Sequence, residues 1–266
     1  MRSILALVRA AWLTATSYRL ATIISLGGLL ASVVPIYFIA NAVQDVAAAS
    51  IALEGGEYFA FVVFGTASMY ILAAALSAIP SALAGSIGNG TFESLLVTRT
   101  SLPLILIGMA GYPLLQSLMR AALLLGGAMV LGVGVRWAML PAALGIVALT
   151  ITAYAAIGLI AASLILVFRT AGPLVTVVTS GSALLGGAYY STGVIPGWLQ
   201  SISGLVPLTY ALRAVRRLLL SDAALADVSA DVGMLALLAV TGLAIGMLVF
   251  GTALQQARRS GTLSQY

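Results

Sequence analysis

YFAFVVFGTASMYILAAALSAIPSALA, residues 58–84, contains no charged side chain, and it exceeds the ~20 apolar residues that carry an α-helix across a bilayer. A helix apolar on every side needs lipid or protein all round it. Comparable runs occupy residues 20–43, 103–133, 139–168, 173–190 and 232–254. The expected fold is therefore all-α: a polytopic membrane protein with six transmembrane helices over residues 20–254. Composition agrees, because 62% of the 266 residues are hydrophobic and 7% charged, against ~25% charged in soluble domains.

What is missing excludes chemistry. All 12 basic residues are Arg, and the chain has no Lys, His or Cys. Without Cys and His there is no zinc site of the usual kind, no thiol nucleophile, no Ser-His triad and no disulfide framework. Without Lys there is no Walker A loop, whose Lys reaches the β/γ-phosphates. No catalytic residue, metal site or cofactor is expected on this chain. The high isoelectric point, about 9.8, is explained by Arg at membrane edges rather than by nucleic-acid binding.

Six crossings place both termini on one side of the bilayer. Arg2, Arg9, Arg19, Arg99, Arg169, Arg258 and Arg259 fall on the terminal side, against Arg136, Arg213, Arg216 and Arg217 on the other. The positive-inside rule makes the termini cytoplasmic. Residues 1–19 place Ile4, Leu7, Val8, Ala11 and Trp12 near one face, the pattern of an interfacial helix. Residues 255–266 form the cytoplasmic tail.

The segment 191–231, between the fifth and sixth spans, is too apolar for an ordinary loop and is broken at Pro196, Gly197, Gly204 and Pro207. Short re-entrant or interfacial helices satisfy such a sequence. Trp198 falls where an interfacial aromatic is expected. From Pro207, Leu208, Leu212, Val215 and Leu219 alternate with Arg213, Arg216 and Arg217, an amphipathic helix that also carries Tyr210.

Inside the spans, polar residues are sparse. Tyr112, Gln116 and Arg120 are spaced four apart on one face of the third span; they line a polar path, or hydrogen-bond a neighbouring helix while Arg120 snorkels. Thr66, Tyr70, Ser77 and Ser81 share a face of the second span, and Thr176 and Ser180 lie on the fifth. These hydroxyls suit an amphiphilic solute or plain helix packing. Gly242 and Gly246 in the sixth span read as packing. No carboxylate lies inside a span, which disfavours an ion-coupled carrier.

One acidic residue stands apart. Glu93, in GNGTFESLLVTRTS over 88–101, is the sole carboxylate between Glu57 and Asp222. TFESLLVT can form a short helix with Thr91 at its start and Glu93 in its first turn, where the dipole favours an anion. Phe92, Leu95 and Leu96 give it an apolar side, and Arg99 closes it, so the loop 85–102 suits docking on another protein.

GTFESLLVT at 90–98 resembles the Gly-Thr-x-Glu-x-Leu-Leu-x-Thr signature of ABC transporter permeases of the ABC-2 class. GVIPGWLQSISGLVPLTYALRAVRRLLL at 193–220 is similar to that class's Pro-Gly-Trp and Pro-Leu-Thr-Tyr region. Ile87, Gly88 and Asn89 stand where the class often has a charged pair, and Val206 stands where it usually has Asn. The resemblance implies a bacterial plasma-membrane half-transporter. A second permease chain would complete the path, and two separate ABC ATPase subunits would carry ATP and Mg. The loop holding Glu93 would be the coupling element, and spans two and five would border the path of a drug, lipid or lipid-linked glycan moving outward. An ion-coupled secondary carrier or a non-transporting scaffold are the alternatives.

Overall fold

The computed structural model describes residues 19–90, 102–168 and 170–259. The described residues are helical, with no strand among them. In chain order the helices are α1 (Arg19–Ile51), α2 (Tyr58–Gly88), α3 (Leu102–Val130), α4 (Leu140–Phe168), α5 (Gly172–Leu185), α6 (Gly197–Ser203), α7 (Pro207–Leu220) and α8 (Ser229–Arg259), with short 3-10 turns before α2, α4 and α8. The predicted interfacial helix and the coupling segment Thr91 to Arg99 lie outside the described residues, as does most of the tail.

Five of these helices, α1, α2, α3, α4 and α8, are long and apolar enough to cross a membrane. Their order in the bundle follows from burial. The most apolar windows of α2 and α4 are 61% and 56% buried, against 17%, 22% and 17% for α1, α3 and α8, so α2 and α4 form the core and the others present most of their surface outward. The packing of α8 on α4 depends on a missing side chain: a Cβ at Gly246 would stand 2.6 Å from the Ala156 carbonyl oxygen. Gly242 lies one turn earlier on the same seam, facing Ala156 Cβ. Small residues let the two backbones approach, as the sequence pattern implied.

The first helix runs past the predicted end at residue 43, through Asp45 to Ile51. Gln44 holds the turn that follows, its side-chain nitrogen donating to the Gly56 carbonyl at 2.8 Å and its oxygen accepting from the Tyr58 N–H at 2.7 Å. That second bond satisfies one of the orphan N–H groups at the start of α2.

The predicted fifth span, 173–190, takes a different form. Its helix α5 has 14 residues and ends at Leu185, giving ~21 Å at 1.5 Å per residue, short of the ~30 Å hydrocarbon core. Gly186 closes it and Gly187 turns the chain with φ 74°, a left-handed value that a glycine adopts without strain. The amphipathic helix α7 is present as predicted, and its apolar face is inside: Leu208, Leu212, Leu218 and Leu219 are buried against Val63 and Phe64 of α2, Leu235 of α8, and Leu72 and Tyr154 of the core. Pro207 sits at its first position, where a missing N–H leaves nothing unsatisfied.

Candidate functional site

The short α5 delivers its closing turn into the protein rather than to its surface. A Cβ at Gly65 would come within 1.9 Å of the Ala188 carbonyl oxygen, so the turn rests on bare backbone of α2. Gly65 lies seven residues inside α2, about 10 Å along its axis at 1.5 Å per residue. Non-helical backbone buried at that level must find partners within the protein.

The carbonyls of Leu184, Leu185, Gly187 and Ala188 each have one. Ser203 Oγ donates to Leu185 O at 2.6 Å, and Tyr190 OH donates to Leu184 O. The guanidinium of Arg216 takes the rest: Nη1 donates to Gly187 O at 2.8 Å and Nη2 to Ala188 O at 3.0 Å. Nη2 also donates to Phe61 O at 2.7 Å, and the group lies 3.4 Å above the Phe61 ring. A cation at a helix C-terminus also complements its dipole.

Arg216 is 1% exposed, a costly place for a charge unless it is paired. Glu54 pairs it, its Oε2 accepting from Nη1 at 3.0 Å. Burial pushes the Arg216 guanidinium down to about 10, opposed by the Glu54 charge, which leaves it protonated at neutral pH. Among the described residues, Nε finds no acceptor. Sequence reasoning placed Arg216 on the polar face of α7; the structure buries it, because the face opposite the leucines meets the α5 turn and not solvent.

The neighbouring arginines tie the same end of the bundle together. Arg213 pairs with Asp231 at the start of α8 at 3.3 Å. The Arg136 side chain donates to Ser221 O at 2.8 Å and Ala223 O at 3.2 Å, and its backbone N–H donates to Leu219 O at 3.0 Å. Its 3.8 Å ion pair with fully exposed Asp222 adds little. Beside this belt lies a cavity of about 490 Å³, lined by Ser50, Glu54, Thr192, Gln200, Arg213 and Arg217 among others.

Of the extracytoplasmic residues singled out from sequence, Tyr210 and Arg213 line this cavity. Pro196 precedes α6, Trp198 is exposed on it, and Pro207 opens α7. None of the path candidates lines it. Thr66 and Ser77 hydrogen-bond carbonyls of their own helix, Val62 at 2.9 Å and Ala73 at 2.6 Å, and Tyr70 packs on the core. Tyr112, Gln116 and Arg120 are half-buried on α3, whereas Thr176 and Ser180 are exposed on α5. Missed in the sequence were the Glu54–Arg216 pair and Arg217; three arginines within five residues of a leucine-rich helix were the available signal.

Long apolar helices around a buried ion-paired turn define a polytopic membrane protein whose polar residues organise one end of a helical bundle. The family description ABC-2 type transporter matches residues 2–220. The chain belongs to that family, whose members are membrane components of transport and generally non-catalytic. No curated protein gives a significant match.

Proposed function

We propose that the chain is the permease subunit of an ATP-driven exporter. The observation that carries this is the family match over residues 2–220 in a chain without Lys, which therefore needs a separate Walker A polypeptide. Two permease chains form the path and two ABC ATPase subunits bind at the cytoplasmic face of a bacterial plasma membrane. The solute is an amphiphilic drug, lipid or lipid-linked glycan, bordered by Thr66, Tyr70 and Ser77 on α2, Thr176 and Ser180 on α5, and Tyr112, Gln116 and Arg120 on α3.

The ATPase docks on Thr91, Phe92, Glu93, Leu95, Leu96 and Arg99. In support, α2 begins beside the arginine belt and its 31 residues carry the chain ~46 Å away before this segment starts. A push there reaches the belt through a helix that is itself core. Six crossings follow if α5 counts as one: it starts just after α4 ends at Phe168, and its closing turn lies against Gly65 and Arg216 near the start of α2.

Affinity purification in mild detergent, with mass spectrometry and an ATPase assay, tests the reading. A stoichiometric nucleotide-binding subunit whose hydrolysis responds to amphiphiles is expected; an ATPase-free protein that moves solute down an ion gradient in liposomes would overturn it. In the purified complex, Glu93→Ala is expected to fold normally and to lose coupling between hydrolysis and transport. Unchanged transport and ATPase stimulation would remove Glu93 from the docking role.

A further inference from the structure

The cavity of about 490 Å³ beside the arginine belt has the size of a small-ligand site. Its walls come from the end of α1, the 191–193 turn, α6 and α7. Its guanidinium groups are not all paired. Glu54 is matched by Arg216, and Arg213 by Asp231. Arg217 has no carboxylate at salt-bridging distance among the described residues; the one hydrogen bond its guanidinium makes among them is 3.3 Å from Nη1 to the Asp227 carbonyl oxygen. The Asp227 carboxylate is engaged elsewhere, accepting from the Ala224 N–H at 2.8 Å, and Asp222 faces Arg136. The Arg217 guanidinium therefore keeps N–H groups still to donate.

Much of the remaining lining carries hydroxyl or amide groups. Ser191 and Thr192 contribute hydroxyls, whereas Ser50 Oγ and the Gln200 amide nitrogen already donate to backbone carbonyls, and Thr192 Oγ1 is 3.5 Å from Arg213 Nη2. A guanidinium fork beside hydroxyl donors is the chemistry that recognises phosphate oxygens. The lining includes Leu53, an apolar side chain at 81% exposure, which suits the water–lipid boundary where phosphodiesters of a bilayer lie.

We infer that this cavity binds a phosphate ester bearing a small hydroxylated group, with Arg217 as its charge partner. That chemistry is offered both by a phospholipid headgroup and by a soluble sugar or glycerol phosphate. The inference concerns a site distinct from the residues assigned to the path.

The test is calorimetric titration of the full-length protein in nonionic detergent with three probes: dihexanoylphosphatidylglycerol, glycerol 3-phosphate, and dihexanoylglycerol, which lacks phosphate. Saturable binding of a phosphate-bearing probe, weakened by salt, and none of dihexanoylglycerol is expected. Arg217→Gln is expected to weaken binding about tenfold or more, and Arg217→Lys, which keeps the charge and loses the fork, by less. Tighter binding of the lipid probe assigns a headgroup; equal or tighter binding of glycerol 3-phosphate assigns a soluble ester. No saturable binding, equal binding of the phosphate-free probe, or unchanged affinity in both Arg217 variants would overturn the site. Should Arg217→Gln fail to elute as a folded species, Thr192→Val read against Arg217→Lys supplies the same comparison.

Discussion

Replacing Arg216 by alanine would strand the Glu54 carboxylate, whose side chain is 13% exposed, and leave the Phe61, Gly187 and Ala188 carbonyls without this donor. Breaking a buried ion pair from one side costs about 3–5 kcal/mol. At ~2 °C per kcal/mol for a chain of this size, the apparent Tm of Arg216→Ala in detergent is expected to fall by about 6 °C or more. Arg216→Lys keeps the charge but offers no planar fork to reach carbonyls on two sides, so it recovers only part of the loss. The same turn makes a second demand at Gly65, where a Cβ would collide with the backbone oxygen of Ala188. Backbone cannot swing aside as a side chain would, so Gly65→Ala is expected to destabilise by about 1–3 kcal/mol. A melting curve that overlays the wild type for either variant would show that the turn is not held as described.

At the scale of elements, the long helices were legible because lipid imposes a simple rule: ~20 apolar residues with few charges. The runs at 58–84, 103–133 and 139–168 reappear as α2, α3 and α4 with ends shifted by a few residues. The amphipathic α7 was legible from its leucine spacing, although the sequence could not say what would cover its polar face. The unread feature was the shortness of α5. Gly186 and Gly187 in GPLVTVVTSGSALLGGAY mark a candidate stop after Leu185, but the tertiary partners of the turn could not be read there: Gly65 to admit it and Arg216, Ser203 and Tyr190 to satisfy it. The coupling segment around Glu93 lies outside the described residues, so its reading rests on pattern and resemblance. The α4–α8 seam supplies an element-scale prediction. Gly246→Ile would force a branched side chain against Ala156 O and Leu159 Cβ, while most of α8 already faces outward. Limited proteolysis in detergent is expected to cut this variant between α7 and α8 much faster than the wild type. Equal cleavage rates would mean that the seam does not hold α8 in place.

For the whole molecule, the decisive question is whether the chain between α4 and α7 changes sides. α5 is shorter than a full crossing, yet its two ends sit near opposite ends of the core: three residues separate its start from the end of α4, and it closes beside Arg216, whose partner Glu54 precedes α2. A full crossing would require the buried turn, α6 and α7 to supply the remaining depth; unpaired backbone would be costly in lipid, whereas this turn is paired and surrounded by protein. The absence of cysteine from the sequence allows a direct test in cells with single-cysteine variants and a membrane-impermeant maleimide. Asn89, Thr170 and Asp222 are exposed, and Asp222 gives up only a weak surface ion pair. Asp222→Cys is expected to label in intact cells, and Asn89→Cys and Thr170→Cys only after permeabilisation. Labelling of Thr170→Cys together with Asp222→Cys would remove the crossing at α5, and a fully inverted pattern would place the arginine belt, with its phosphate site, on the cytoplasmic side.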